Sequence, residues 1–232
     1  MKTTIFTAAV FAATTVFAAT TTQADPSETG AKNWTHFVGV GAVVPVSSYN
    51  IDDTDYSQVA GGLNLNYMGV NKNGLAVKVS WSIGAAWTED VKFETKDDGA
   101  LGTYVTGEMG VGYGFVNTSN WTVAAFAMMG MEASVFESDK DKFVHEELGK
   151  VDMTRSVSVG ALTLGGDLVV RRALGERASV FVSVGGRWVP VAVAIHTVEY
   201  DNDDFNRVDN IKSKDSDGGF TIVPTVGAMW SF

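Results

Sequence analysis

The stretch LAVKVSWSIGAAW, residues 75–87, decides the fold class of this chain because its side chains alternate in character. One set of alternate positions is apolar and carries the larger side chains, namely Leu75, Val77, Val79, Trp81, Ile83, Ala85 and Trp87. The positions between them are small or polar, namely Ala76, Lys78, Ser80, Ser82, Gly84 and Ala86. A repeat of two residues indicates a β-strand with one apolar face and one more polar face.

The same alternation recurs along the chain and predicts eight strands. Their approximate ranges are 33–45, 58–69, 75–87, 101–115, 121–135, 157–171, 178–190 and 220–232. In the sixth strand, the apolar residues change from one set of alternate positions to the other near Gly160. We therefore expect either a β-bulge near Gly160 or a different first residue for that strand.

The connections between the predicted strands alternate between short and long. The short ones lie near 71–74, 116–120 and 172–177, and Asn73-Gly74 in the first of these favours a tight hairpin turn. The long ones all carry net negative charge and lie near 46–57, 88–100, 136–156 and 191–219. An even number of alternating strands with this pattern is typical of an outer-membrane barrel, since a sheet can cross lipid only by closing on itself. The sequence thus predicts an all-β fold, an eight-stranded antiparallel up-and-down transmembrane β-barrel with short turns and long loops.

The aromatic residues distinguish this barrel from a soluble one, which would place its apolar residues inside. All six tryptophans fall on the apolar register, mostly near strand ends, where membrane interfaces favour aromatic rings. The predicted interface aromatics are Trp34, Tyr67, Trp87, Tyr113, Trp121 and Trp188. The opposite register carries charged residues that would face the lumen, namely Lys78, Glu108, Glu132, Asp167 and Arg187. Because buried charges are tolerated only when paired, these five residues are predicted to form a lumen charge network.

The first 24 residues have the features of a secretory signal peptide. A basic start at Met1-Lys2 precedes a short apolar stretch, and Thr22-Gln23-Ala24 resembles a cleavage site. The expected domains are therefore a signal peptide, 1–24, and a barrel, 25–232. The net charge of −10 argues against nucleic acid as a partner, and the absence of cysteine excludes disulfides and thiol chemistry.

The signal peptide, the eight strands and the terminal VGAMWSF together resemble the small bacterial outer-membrane barrels. This group includes the OmpA transmembrane domain, OmpX, OmpW and the opacity proteins. The resemblance implies a location in the bacterial outer membrane, with periplasmic turns and extracellular acidic loops. It implies outer-membrane lipid and the barrel-assembly machinery as partners. It also assigns a signal for that machinery to Phe232, Trp230, Ala228 and Val226.

Fold does not determine function, so three functions remain open. The first is a non-enzymatic barrel with a structural or surface-interaction role, in which the acidic loops contact an extracellular ligand. The alternative is a narrow channel for small or hydrophobic solutes, as OmpW-like members imply, with glycines on the inner register leaving space. A lipid-modifying enzyme is disfavoured because none of His36, His145 and His196 has the expected serine and carboxylate partners nearby. We therefore predict no catalytic residue, no cofactor and no metal site.

Overall fold

The computed structural model describes residues 33–51, 54–91, 99–138, 141–145, 149–201 and 206–232. The predicted signal peptide lies outside these ranges and stays a prediction. Within them the chain forms ten strands: β1 Trp34–Val43, β2 Val46–Ile51, β3 Thr54–Asn71, β4 Leu75–Thr88, β5 Ala100–Asn117, β6 Trp121–Glu137, β7 Asp141–His145, β8 Gly149–Ala173, β9 Ala178–Asp201 and β10 Asn206–Ser231. No helix in the part of the chain so described has the length and hydropathy to cross a membrane.

The sheet closes into a ring because β1 pairs antiparallel with both β3 and β10. After a short interruption, β2 continues in line with β1 and, like β1, pairs with β10 and β3. The short strand β7 pairs with the upper part of β8, on the side where β6 pairs lower down. The ring therefore has eight strands, and the predicted fold class is confirmed.

The register fixes how strongly the strands are tilted. The paired residues lead once around the ring from Phe37 through Met68, Lys78, Gly110, Met128, Gly165, Arg187 and Thr221 to Ser47. β1 and β2 occupy the same position in the ring, and the path starts at Phe37 in β1 and ends at Ser47 in β2. The stagger of the strands around the barrel is therefore ten residues. A stagger of this kind accompanies a strand tilt of about 35–45° and an interior that side chains can fill.

An apolar belt surrounds the barrel. Leu63 and Met131 each leave 62% of their surface exposed, whereas Asn64 and Glu132 beside them face inward and are buried. Two levels of outward aromatic residues bound the belt: Trp34, Tyr67, Tyr113, Trp121, Trp230 and Phe232 near the short turns, and Trp87, Trp188 and Phe220 towards the other end. Twelve residue steps separate Leu75 from Trp87 along β4, or roughly 30 Å for a tilted strand. This height suits a bilayer, so the barrel spans a membrane.

The segments predicted as long loops are mostly strand hairpins. Residues 191–201 and 206–219 continue β9 and β10 far above the aromatic level, and residues 46–51 and 54–57 form β2 and the start of β3. Residues 136–156 contain β7 and the upper part of β8. Above the belt the outer face meets water and is no longer apolar, so the outward apolar positions that marked the strands in the sequence stop there. Backbone pairing continues regardless, and this is why the sequence pattern underestimated the strand lengths.

The predicted bulge near Gly160 lies instead in the neighbouring strand. In β8 the inward positions continue without a break through Val159, Ala161 and Thr163. The pairing with β9 shifts between Leu162 and Leu164, where two residues of β9, Val189 and Pro190, lie opposite Thr163. Proline has no N–H group to donate to the ladder, and a bulge is one of the few places in a sheet that accepts it. The sequence signal in β8 has a different cause, since its upper apolar residues face the barrel interior.

An arginine in the middle of the apolar belt is predicted to destabilise the barrel. Leu65 faces outward on β3 opposite Trp81, so Leu65→Arg places a charge near the bilayer centre. We expect the free energy of unfolding in lipid vesicles, measured by urea titration with tryptophan fluorescence, to fall by roughly 2–4 kcal/mol. The control is Ser119→Arg in an exposed turn, which should change it by less than about 0.5 kcal/mol. Equal losses in the two variants would contradict the assignment of the outer face.

Candidate functional site in the barrel interior

The interior of the barrel is layered. A turn-end cluster of buried apolar residues comprises Phe37, Met68, Val70, Ala76, Ala124, Phe126, Met128, Val169, Phe181 and Met229. A loop-end cluster comprises Tyr49, Tyr56, Ala60, Ala86, Val91, Ala100, Tyr104, Phe136, Val157, Val159, Ala161, Val189, Ala192 and Ala194. Charged and polar residues occupy the space between the two clusters. They form the candidate functional site.

Arg187 is the centre of a charged layer. This arginine, on β9, is 1% exposed, and its guanidinium contacts Glu108 on β5 at 2.5 Å and 3.0 Å. Its Nη2 also donates to Asp167 Oδ1 on β8 at 2.8 Å. Lys78 on β4 pairs with the other oxygen of Asp167. Two cations and two carboxylates are thus joined across the lumen, and their formal charges cancel.

Small residues make room for this layer. A Cβ atom at Gly185 would lie 2.0 Å from Asp167 Oδ1, so only glycine fits beside that ion pair. The same holds for other inner glycines, because a Cβ at Gly110 would lie 2.4 Å from the Met128 sulfur. The space beside these two inner glycines is therefore occupied by neighbouring side chains and backbone.

Glu132 lies apart from the charged layer and pairs with neither Lys78 nor Arg187. Its carboxylate accepts hydrogen bonds from the hydroxyls of Tyr49, of Thr221 at 3.0 Å, of Tyr104 at 3.3 Å and of Ser47 at 3.5 Å. Among the described residues, every hydrogen-bonding partner of this carboxylate is a hydroxyl. Four of the five predicted lumen charges thus meet, and the fifth is held by neutral donors.

The sequence pattern did not identify several polar partners. Tyr49 and Ser47 fell in a segment predicted as a loop, although their odd-numbered positions continue the inward set of β1 past Pro45. Continuing the alternation would have found them. Asn64 and Asn66, which the alternation also places on the inner face, form an amide layer whose contacts were not predicted: Asn64 donates to the hydroxyls of Ser80 at 2.8 Å and Ser82 at 3.0 Å, and Asn66 donates to Asn64 at 2.9 Å.

The remaining predicted residues lie on the outer face. Trp34, Tyr67 and Phe232 surround His36, whose Nδ1 is 2.7 Å from the Tyr67 hydroxyl. Trp87, Tyr113, Trp121 and Trp188 are all exposed on the outer face. Of the predicted assembly signal, Val226, Trp230 and Phe232 are exposed and Ala228 is half-buried. The role of these residues in the membrane interface and in assembly stays a prediction.

No cluster resembling a metal site is present in the described ranges, where no group of three or more histidine, aspartate or glutamate side chains could hold an ion. The histidines have other contacts. The ring of His145 lies 5.1 Å from that of Tyr200, and His36 belongs to the aromatic group at the turns.

Known structures share this architecture. OprG from Pseudomonas aeruginosa is 13% identical over 86% of this chain and 96% of its own, with a TM-score of 0.51. This chain has the fold of a small outer-membrane β-barrel. A major outer membrane protein from Thermus thermophilus is 13% identical over 83% of this barrel and 99% of its own chain, with a TM-score of 0.47. Ail of Yersinia pestis, in complex with the heparin analogue sucrose octasulfate, is 14% identical over 86% and 99%, with a TM-score of 0.45.

No family model and no curated protein matches this barrel. The fold that this chain shares with the solved structures nevertheless confirms the resemblance inferred from the residues.

Loss of Arg187 is predicted to destabilise the barrel more than loss of the Glu132 charge. Arg187→Met leaves the Glu108 carboxylate buried without its guanidinium, which should lower the free energy of unfolding by about 3–5 kcal/mol. Glu132→Gln keeps an oxygen acceptor for the hydroxyls and should cost about 1 kcal/mol. Urea titration in lipid vesicles measures both variants. Adding Glu108→Gln to Arg187→Met should recover part of the loss, and equal losses in the two single variants would contradict the central role of Arg187.

Proposed function

We propose that this chain is a non-enzymatic outer-membrane barrel with a closed interior, and that its contacts with other molecules are made at the loop end. The observation that carries the proposal is the balanced charge layer between two apolar clusters. Ion pairs of this kind hold strands together, whereas a selective channel needs an open path lined by groups that contact the passing ion or solute.

The packing of the interior supports a closed lumen. Phe37 and Phe181 of the turn-end cluster are 1% and 2% exposed, and Phe136 of the loop-end cluster is fully buried. An eight-stranded barrel is just wide enough for side chains to fill it. Water or solute would have to displace packed aromatic rings at both ends.

With the lumen closed, the loop end is the surface at which we expect this chain to contact extracellular molecules. The hairpins of β2 with β3 and of β9 with β10 extend the wall beyond the aromatic level. All four segments predicted as loops have net negative charge, which attracts cationic groups and repels anionic ones. Ail was crystallised with an anionic heparin analogue. The charge of this chain favours a cationic extracellular partner instead.

The closed interior is tested by conductance. We expect the purified full-length chain in planar bilayers to show no reproducible stepwise openings, and we expect the same of a Glu108→Gln/Glu132→Gln variant. The folded state is verified by heat-modifiable gel mobility. Discrete openings whose conductance changes in the double variant would instead favour the narrow channel for small or hydrophobic solutes.

The surface role is tested with a cationic probe. The acidic segment that connects β9 and β10 contains Asp201, Asp203 and Asp204, and replacing all three by asparagine removes three negative charges. We expect the wild-type barrel in zwitterionic micelles to bind decalysine in isothermal titration calorimetry, and this variant to bind at least threefold more weakly. Glu176→Gln in a turn at the opposite end is the matched control and should leave binding unchanged. Equal binding by all three proteins would contradict a loop-end site.

A further inference from the structure

Arg171 is a buried cation that the charged layer does not use. It faces inward on β8, two residues closer to the turn than Val169 of the turn-end cluster. Its exposed fraction is 5%. Its Nη1 donates to Thr122 Oγ1 at 3.3 Å, and its Cζ lies 4.3 Å from the centre of the Phe37 ring. Its Nε is buried and has no hydrogen-bonding partner.

No carboxylate in the described part of the chain pairs with Arg171. The residues opposite it in the two neighbouring strands are Thr122 and Phe181. Asp167, the nearest inward carboxylate on the same strand, is four residues away, or about 13 Å, and already pairs with Lys78 and Arg187. A guanidinium has five N–H donors, and a buried charge is stable only when it is paired and hydrogen-bonded. The site thus lacks an anion.

We propose that Arg171 binds a phosphate group at the turn-end mouth of the barrel. Guanidinium groups bind phosphate in a bidentate fashion, and the Phe37 ring holds the guanidinium from one face. The exposed turns add the cations Lys72 and Arg177 against the single carboxylate of Glu176, and Arg172 lies next to them on the outer face of β8, so this end attracts anions of high charge. The phosphate is either free inorganic phosphate or part of a phospholipid headgroup next to the turns.

The proposal is tested by phosphate titration of the purified full-length chain. The protein is kept in zwitterionic micelles in a phosphate-free chloride buffer, and inorganic phosphate is added in an isothermal titration calorimeter. We expect one saturable site in the wild type. Arg171→Met should weaken binding at least tenfold, and Arg171→Lys, which keeps the charge but not the planar fork, should weaken it less. Arg172→Gln on the outer face is the matched control and should bind as the wild type does.

Thr122→Val keeps the proposal testable if Arg171→Met fails to fold. This variant preserves the shape of the side chain and removes the acceptor that orients Arg171, so binding should weaken several-fold. Absence of saturable binding in the wild type would overturn the proposal. Equal weakening by Arg171→Met and Arg172→Gln would also overturn it, because binding would then belong to the basic surface as a whole.

Lipid nanodiscs distinguish the two sources of phosphate. The titration is repeated in phosphatidylcholine nanodiscs with and without phosphatidylglycerol. If the headgroup of the anionic lipid occupies the site, inorganic phosphate should bind more weakly in the discs that contain it, and Arg171→Met should abolish the difference. If binding is equal in both discs, is as tight as in micelles of a detergent without phosphate groups and still depends on Arg171, the ligand is free phosphate.

Discussion

Pairing of every backbone N–H and C=O group within the lipid is the constraint on which this structure depends. An open sheet would leave two edges unpaired in hydrocarbon, so the first strand must meet the last. That contact runs from Phe37 opposite Ser231 to Val43 opposite Thr225. Prolines are accommodated where the ladder is already interrupted, at Pro45 between β1 and β2 and at Pro190 in the bulge of β9.

Closure in turn decides what the interior can contain. Eight strands staggered by ten residues enclose a space that side chains fill, so every inner position must match its neighbours across the lumen. The large Arg187 side chain is matched by Gly185 and Gly165, where a Cβ would collide with its surroundings. Each of the inner carboxylates Glu108, Glu132 and Asp167 finds either a cation or hydroxyl donors at the same level. The result is a neutral charged layer and a separate, hydroxyl-bound Glu132.

The two ends of the barrel have different chemistry, and their functions are proposed accordingly. The turn end has short connections, aromatic rings, exposed basic residues and the buried Arg171. The loop end has long hairpins and acidic segments, with an apolar cluster in the lumen beneath them. The closed interior that we propose would transmit nothing between the two ends, so each end is expected to meet its own partners.

The sequence alone determined that the ring has eight strands, their order, the outer face of the belt and five of the inward charges, although not Arg171. All of these follow from a period of two and from turn residues such as Asn73-Gly74, which are local properties of the chain. It could not determine which charges meet, because Lys78 and Asp167 are 89 residues apart and Glu108 and Arg187 are 79 apart. Their contact depends on the register summed over several strand pairs, and a two-residue change in any one of them would bring different side chains together. The hydroxyl partners of Glu132, the bulge at Pro190 and the length of the hairpins were fixed in the same way, by pairing between strands that no single segment encodes.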